Sequence, residues 1–185
     1  MAPLSRQMTG LVPENTLPMK IEIPENKKLV FEMRVPIRWG DMDAMGHVNN
    51  GSYFRYLETV RIDWMYSIGC GFLGQSPNSL IRKAEPAGTT FGVAAKLVSD
   101  PNNREGPVIV NAFCNFYKQL EYPGDVLIKM YASDPGRTTF ETWGTMERAD
   151  EPGVIYAAGG ATTIWIDFPT QKAVNLPDWM RSLVT

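Results

Sequence analysis

The chain has 185 residues, of which 44% are hydrophobic and 21% charged, and its formal net charge at pH 7 is −2. This balance is typical of one soluble globular domain. A small negative charge argues against a broad nucleic-acid surface, which normally needs clustered Lys and Arg. It leaves room for a small anionic ligand held by a few local cations.

Signals for secretion or membrane insertion are not evident. Residues 1–20 contain no apolar run of the signal-peptide kind, and no later window reaches the roughly 18 apolar residues of a membrane span. The cysteines are Cys70 and Cys114 alone, which indicates no disulfide framework. We expect a cytoplasmic enzyme without a membrane span.

The chain begins with a proline-containing arm and then turns into a strand. Residues 1–27 contain four prolines and little periodicity, so they predict an irregular arm, and residues 28–185 predict a single domain. Alternation starts at Phe31 and continues through Met33, Val35 and Ile37, which predicts a strand with two distinct faces. Pro36 cannot donate to a ladder and therefore indicates a sheet edge or a bulge.

Residues 50–68 predict one long helix. Apolar side chains recur there at spacings of three and four, the pattern of one buried helical face: Tyr53, Leu57, Val60, Trp64 and Ile68. Asn49 and Asn50 suit the start of this helix, and Gly69 suits its end.

The remaining sequence predicts strands joined by short turns. The candidates are residues 90–98, 108–118, 125–133, 139–148 and 154–166, and residues 176–180 predict a final turn of helix. Short connections favour antiparallel neighbours. The strand at 108–118 is apolar on both faces, which predicts a central position. One helix covers only one face of such a sheet, so we expect a homodimer or a homotetramer.

Two carboxylates, Asp41 and Asp43, stand just ahead of the long helix in the run RWGDMDAMGHVNNGSY, residues 38–53. The first N–H groups of a helix lack internal partners, and the macrodipole adds partial positive charge there. Such donors polarise a substrate carbonyl, and a carboxylate on its other side attacks the carbon or deprotonates a water. The segment therefore favours acyl transfer.

The run RWGDMDAMGHVNNGSYFRYLETVR resembles the signature of the 4-hydroxybenzoyl-CoA thioesterase family of the hotdog superfamily. The later segments FYKQLEYPGDVL, DPGRTTFETW and IWIDFPTQKAVNLP are similar to that family in the same order, over about residues 29–181. The resemblance implies an α+β hotdog fold, in which a curled antiparallel sheet wraps one long central helix and subunits pair sheet to sheet. It also implies hydrolysis of an acyl-CoA, with no cofactor beyond the coenzyme A of the substrate.

The resemblance also implies roles for individual residues. Asp43 occupies the position of the catalytic carboxylate, and the backbone N–H groups near Asn50 and Gly51 occupy that of the oxyanion donors. The run Gly136–Thr139 lies where hotdog enzymes often border pantetheine or nucleotide, which implicates Arg137, Thr138 and Thr139. Residues 99–107 depart from the family by forming a longer joint, which bears on the mouth of the pocket.

Several residues carry a second interpretation. Asp41 is expected to be structural, bonding loop backbone or meeting Arg38, because two free carboxylates beside one carbonyl would repel. His47 is expected to satisfy loop hydrogen bonds, with a substrate-lining role as the alternative. Glu58 is expected to pair with Arg61 one helical turn away, and it is also the reserve catalyst.

Other site classes are excluded or disfavoured. A single histidine builds neither a Ser-His-Asp triad nor a multi-histidine metal site, so no metal is expected. The GCGFLG run at residues 69–74 follows a helix rather than a strand, which disfavours a dinucleotide site. Cys114 is expected to be a small core hydrophobe. Arg137 is either a turn charge or a contact to a CoA phosphate.

Three hypotheses of function follow. The first is an acyl-CoA thioesterase, with Tyr53 among the aromatic side chains that either line the acyl pocket or pack in the core. The second is a hotdog enzyme acting on acyl carrier protein thioesters or hydrating enoyl thioesters. The third is a non-catalytic module that binds acyl-CoA.

Overall fold

A computed structural model of the chain describes residues 22–68 and 104–185. The first elements are β1 (Lys28–Pro36), a 3₁₀ turn (Trp39–Asp41) and the long helix α1 (Asn50–Ser67). They are followed by β2 (Glu105–Phe116), β3 (Asp125–Ser133), β4 (Thr139–Arg148), β5 (Ile155–Asp167), β6 (Lys172–Ala173) and the short helix α2 (Asp178–Val184). The predicted order of strand, long helix and successive strands is confirmed.

The strands form one antiparallel sheet in the order β1-β3-β4-β5-β2, and β6 pairs with β5. One face of this curled sheet packs against α1. The predicted buried face of α1 is confirmed, since Tyr53, Leu57, Val60, Trp64 and Ile68 are all buried. The alternation of β1 is confirmed as well, because Phe31, Met33, Val35 and Ile37 belong to the core or pack against it.

Two facing glycines allow α1 to approach the sheet closely. Gly144 of β4 pairs with Gly159 of β5, and the side chain of Leu57 lies over both. A Cβ on Gly144 would overlap Leu57 Cδ2, and a Cβ on Gly159 would lie 2.8 Å from Leu57 Cδ1. The absence of side chains at these positions therefore sets the depth at which the helix rests.

Several element boundaries differ from the prediction. β3 and β4 have the predicted bounds, β5 is shifted by one residue, and α2 continues to Val184. β2 begins at Glu105, because Glu105, Gly106 and Pro107 pair with the long end of β5, so these residues are strand rather than joint. The predicted strand at 90–98, the run at 69–74 and residues 99–103 of the joint lie outside the described residues.

The central position of β2 stays a prediction, because the sheet that residues 22–68 and 104–185 form does not include the predicted strand at 90–98. β2 is the last strand of that sheet, beyond β5. Its two-sided apolar character leaves apolar side chains at the surface instead, including Val110 at 59% and Phe116 at 43% exposure. β1 lies at the opposite end, which confirms the edge position that Pro36 indicated.

Cys114 lies within β2, half-buried and packed against the core, as its interpretation as a small hydrophobe requires. Burial raises the pKa of its thiol to about 12, so the group stays protonated at neutral pH. None of the helices in the described ranges is long and apolar enough to cross a membrane.

Candidate active site

The loop between the 3₁₀ turn and α1 is a tight, hydrogen-bonded structure. The Asp43 amide donates to His47 O at 2.7 Å, and the Gly46 amide donates to Asp43 O at 3.2 Å. Gly46 has a φ of +82°, a conformation that glycine adopts without strain. Met42 and Val48 form an isolated antiparallel bridge at the base of the loop. Backbone hydrogen bonds within residues 42–48 therefore fix the position of Asp43.

The Asp43 carboxylate is anchored through one oxygen. Its Oδ1 accepts the Met45 amide at 2.8 Å and the His47 amide at 3.1 Å. The His47 and Met45 backbone bonds lower the pKa of Asp43, because they stabilise the charged form. Among the described residues, no donor bonds Oδ2, so an ionised oxygen remains available to a ligand.

The start of α1 offers one backbone donor rather than two. The Asn49 side chain caps the helix by accepting the Gly51 amide at 2.8 Å, and Asn49 O accepts the Ser52 amide. The Gly51 amide is therefore engaged by the cap, and its role as an oxyanion donor stays a prediction. The Asn50 amide meets no acceptor within the described parts of the chain and is the remaining candidate.

Asp41 holds this loop against α1, which confirms its structural interpretation. Its Oδ2 accepts the Arg38 amide at 2.9 Å and the Tyr56 hydroxyl at 2.8 Å. Its carbonyl oxygen accepts the Asn49 amide at 2.8 Å. Burial and this bond raise the pKa of Tyr56, which keeps the phenol protonated as a donor. The buried Asp41 thus fixes the approach to the helix that follows Asp43.

Asp43 and Asn50 line one open cleft with a volume of about 1030 Å³. Its other walls come from α1, from the end of β2, from the turn before β3, and from β4 and β5. Aromatic side chains form much of the lining: Tyr53, Phe116, Tyr117, Tyr122 and Tyr156. The carboxylate and the helix start therefore share a space large enough for a substrate.

Tyr53 has a dual position. Its side chain is buried in the core, its ring packs edge-to-face on Phe116 at 4.9 Å, and its hydroxyl accepts the Leu120 amide at 3.1 Å. Burial raises the pKa of Tyr53. The residue belongs to the core and also contributes to the wall of the cleft, and its contact with an acyl group stays a prediction.

His47 contributes in two ways. Its backbone amide holds Asp43, and its side chain lines the cleft with Nε2 at 3.9 Å from Glu121 Oε1. The loop hydrogen bond therefore comes from the backbone of His47 and not from its imidazole, and a substrate-lining role of the side chain stays a prediction.

Two cations of the cleft, Lys118 and Arg148, were missed by the sequence reasoning. Lys118 Nζ lies 3.3 Å from Glu151 and 3.5 Å from the Tyr156 hydroxyl. Arg148 forms a bidentate pair with Asp150 at 2.9 Å. These residues come from strand ends far apart in the chain, and no local motif signals them.

Arg148 also shapes the turn before β3. It donates to Glu121 O at 2.9 Å and to Pro123 O at 3.2 Å. Its guanidinium is therefore a brace for the segment that carries Tyr122 into the cleft.

Arg137, Thr138 and Thr139 lie at the opposite end of β4. Arg137 donates to Asn175 at 3.1 Å, and Thr138 O accepts the Trp165 amide at 2.8 Å. The ten residues from Thr139 to Arg148 span roughly 30 Å as a strand. Within one chain these residues are not brought together with Asp43.

Glu58 is exposed on α1 and does not line the cleft. Burial lowers the pKa of Arg61, and the charge of Glu58, one helical turn away, opposes that shift. Within residues 22–68 and 104–185, no group of at least three His, Cys, Asp or Glu side chains could hold a metal ion.

Comparison with known proteins identifies the relatives of this arrangement. Residues 37–184 match the thioesterase-like superfamily. No curated protein sequence matches significantly. The PA2801 protein of Pseudomonas aeruginosa, described as a candidate thioesterase, superposes with a TM-score of 0.67 at 25% identity, covering 85% of this chain and 100% of that one.

Further solved structures are similar. A candidate acyl-CoA thioesterase from Xanthomonas campestris has a TM-score of 0.53 at 26% identity, with 76% of this chain and 95% of that one covered. Slr0204, a 1,4-dihydroxy-2-naphthoyl-CoA thioesterase from Synechocystis, has a TM-score of 0.61 at 14% identity, with 83% and 94% covered. These neighbours confirm the α+β hotdog fold.

Proposed function

Because the chain belongs to the thioesterase-like superfamily and is a thioester hydrolase, we propose that it cleaves acyl-CoA to a free acid and CoA at the Asp43 cleft. The Xanthomonas campestris neighbour, described as a candidate acyl-CoA thioesterase, supports the choice of acyl carrier. The resemblance of residues 38–61 to the 4-hydroxybenzoyl-CoA thioesterase signature supports the finer family assignment. A cytoplasmic location remains an expectation of the sequence.

The observation that carries the proposal is that an anchored carboxylate and a free helix-start amide line one cleft. Asp43 Oδ1 accepts two backbone bonds, Oδ2 accepts none among the described residues, and Asp43 and Asn50 line the same cleft. A carbonyl between them would have its carbon toward Asp43 and its oxygen toward the helix start. One oriented donor of this kind contributes about 3 kcal/mol of transition-state stabilisation.

Two routes satisfy this geometry. In the first, Asp43 Oδ2 attacks the carbonyl carbon, the C–S bond breaks to release CoA thiolate, and water hydrolyses the resulting mixed anhydride. In the second, Asp43 takes a proton from a water whose oxygen attacks the same carbon, and the C–S bond then breaks to release CoA thiolate, which regains the proton, and the free acid. The lowered pKa of Asp43 favours the first route, because a weakly basic carboxylate is a poor proton acceptor but stays ionised.

We also propose that the working unit is a homodimer or a homotetramer. Val110 and Phe116 on β2, and Tyr117 beyond it, are each more than one-third exposed in the single chain. Phe116 and Tyr117 line the Asp43 cleft, so a second subunit covering β2 would complete the walls of the site. Sedimentation of the purified protein tests this proposal, and a stable monomer with full activity contradicts it.

The experiment that tests the function is thiol release from short-chain, long-chain and aryl acyl-CoAs. Asp43→Asn preserves size and removes the charge, so kcat should fall by orders of magnitude. Asp178→Asn, in the first turn of α2, is the matched control and should leave kcat unchanged. Glu58→Gln tests the reserve catalyst and should also retain activity.

Each other outcome has a defined meaning. Near-normal turnover by Asp43→Asn contradicts the assignment of the carboxylate. Thiol release from acyl carrier protein thioesters, with none from acyl-CoAs, would identify acyl carrier protein and not CoA as the acyl carrier of the substrate. Ligand-dependent stabilisation without turnover on any thioester would favour a binding module.

A further inference from the structure

We infer that Arg38, Trp39 and Tyr122 form a subsite for the adenine and phosphate end of the substrate's coenzyme A. This inference rests on the proposed acyl-CoA substrate. It places the nucleotide beside the 3₁₀ turn instead of at Arg137–Thr139.

The first observation is an exposed indole on a rigid support. Trp39 is 77% exposed, although burying a large apolar side chain normally stabilises a protein. It lies in the 3₁₀ turn whose last residue, Asp41, is buried and hydrogen-bonded to Tyr56. The ring is thus held at the surface by a braced backbone, as a stacking platform requires.

The second observation is continuity with the cleft. The ring of Tyr122 lies edge-to-face with Trp39, with centroids 5.8 Å apart, and Tyr122 also lines the cleft that contains Asp43. Tyr122 is itself 46% exposed. A ligand with its thioester at Asp43 can therefore extend over Tyr122 to the indole without crossing a gap in the surface.

The third observation is a pair of guanidinium groups near the same turn, those of Arg38 and Arg55. Arg55 Nη2 lies 3.7 Å from Asp41 Oδ1, and no other described carboxylate lies within 4.0 Å of Arg55 or Arg38. The guanidinium of Arg38 has no hydrogen bond or ion pair within the described residues. Arg55 thus shares a carboxylate that is already bonded to Tyr56, and the Arg38 guanidinium has no carboxylate partner among the described residues.

These features match the chemistry of the nucleotide end of CoA. Its adenine has a flat π face, which stacks on an aromatic side chain, and its phosphates are anions that guanidinium groups bind well. The acyl and pantetheine parts offer neither group. An adenine nucleotide is therefore the part of the substrate that this turn is suited to bind.

Calorimetric binding of free CoA and of adenosine 3′,5′-bisphosphate tests the inference. Trp39→Ala and Arg38→Ala should each weaken both ligands about tenfold, and Trp39→Phe should retain most of the affinity. Leu29→Ala, at an exposed apolar position of β1, and Arg34→Ala, at an exposed cation of the same strand, are the matched controls. Both should bind like the wild type.

A kinetic arm separates a nucleotide contact from a general effect on the site. Trp39→Ala should raise KM for an acyl-CoA and leave KM for the corresponding N-acetylcysteamine thioester unchanged, because the latter has no nucleotide. Loss of affinity in Arg137→Ala alone would overturn the inference, as would wild-type CoA affinity in Trp39→Ala and Arg38→Ala. If no thioester is hydrolysed, the proposed function fails, while the calorimetric arm still decides whether the nucleotide binds here.

Discussion

The hydroxyl of Tyr56 donates a 2.8 Å hydrogen bond to the carboxylate of Asp41. This bond links the second turn of α1 to the 3₁₀ turn that precedes Asp43. Because the Asp41 carbonyl also accepts the Asn49 amide, the same residue sets the position of the helix start. The buried Asp41 thus fixes the loop that carries Asp43 against the start of α1, where the Asn50 amide lies.

Tyr56→Phe should therefore weaken both stability and catalysis. Removing the hydroxyl leaves the buried Asp41 carboxylate short of a partner, which costs about 1–3 kcal/mol in the free energy of unfolding. We expect kcat to fall more than KM rises, because the loop and the helix start lose their fixed spacing. Urea denaturation and thiol release measure the two effects.

Tyr131→Phe is the control for that substitution. Tyr131 lies on β3, and its ring faces Lys27 Nζ at 5.4 Å, a contact that phenylalanine retains. Its kcat and unfolding free energy should match the wild type. Equal behaviour of the two variants would mean that the Tyr56–Asp41 bond does not organise the site.

The pH dependence of catalysis follows from the hydrogen bonds to Asp43. Those bonds lower its pKa from the ordinary 3.8, so the carboxylate is ionised at every pH above that value. Activity that depends on this ionised form is lost only as pH falls through the lowered pKa. The acidic limb of kcat/KM should therefore lie below pH 3.8, with a flat profile from there toward neutrality unless another group titrates.

Circular dichroism at each pH restricts the measurement to conditions in which the protein remains folded. An acidic limb near pH 6 would assign the profile to a different group. In that case the bonds from Met45 and His47 would not control the catalytic ionisation.

The depth of α1 on the sheet can be tested at Gly144. Gly144→Ala places a methyl group against Leu57, and overpacking of this kind typically costs about 1–3 kcal/mol. The free energy of unfolding should fall by that amount in a denaturant titration. The added methyl group should push α1 away from the sheet and so move the helix start relative to Asp43. We therefore expect kcat to decline together with stability.

A double-mutant cycle with Leu57→Ala identifies the cause. Leu57→Ala alone opens a cavity and destabilises the protein, but it removes the atoms that the new methyl group meets. The double variant should therefore be more stable than the sum of the single effects predicts. Additive effects would show that Gly144 is required for its backbone rather than for its lack of a side chain.

The sequence predicted the elements well where the pattern was local. The buried face of α1 follows from apolar spacing alone, and the bounds of β3 and β4 follow from turn residues on either side. Asp41 was correctly separated from Asp43 by a charge argument, since two free carboxylates would repel. These features depend on residues close together in the chain.

Features that depend on distant strands were missed. The pairing of β2 with β5 joins two strands that are distant in the chain, and apolar content on both faces of β2 does not reveal it. Lys118 and Arg148 enter the cleft from separate strand ends, and their pairing with Glu151 and Asp150 has no motif. The sequence analysis assigned Asn49 to the helix cap and the Gly51 amide to the substrate without noting that the two compete. The Asn49 side chain accepts the hydrogen bond of that amide.

Substitution of Asn49 should therefore affect stability and catalysis differently. Asn49→Asp keeps an acceptor for the Gly51 amide and adds a negative charge at the helix N-terminus, so the free energy of unfolding should be maintained. The same charge stands beside the position where the carbonyl oxygen becomes negative. We expect kcat to fall about tenfold or more, because like charges repel in the transition state.

Asn49→Ala should show the reverse balance. Losing the cap costs about 1 kcal/mol of stability, but it introduces no charge and leaves the Gly51 amide free to face the cleft. Its kcat, measured by thiol release at saturating substrate, should therefore exceed that of Asn49→Asp even though the protein unfolds at lower denaturant concentration. If kcat instead follows stability across the two variants, negative charge does not develop at the start of α1, and the carbonyl is bound elsewhere in the cleft.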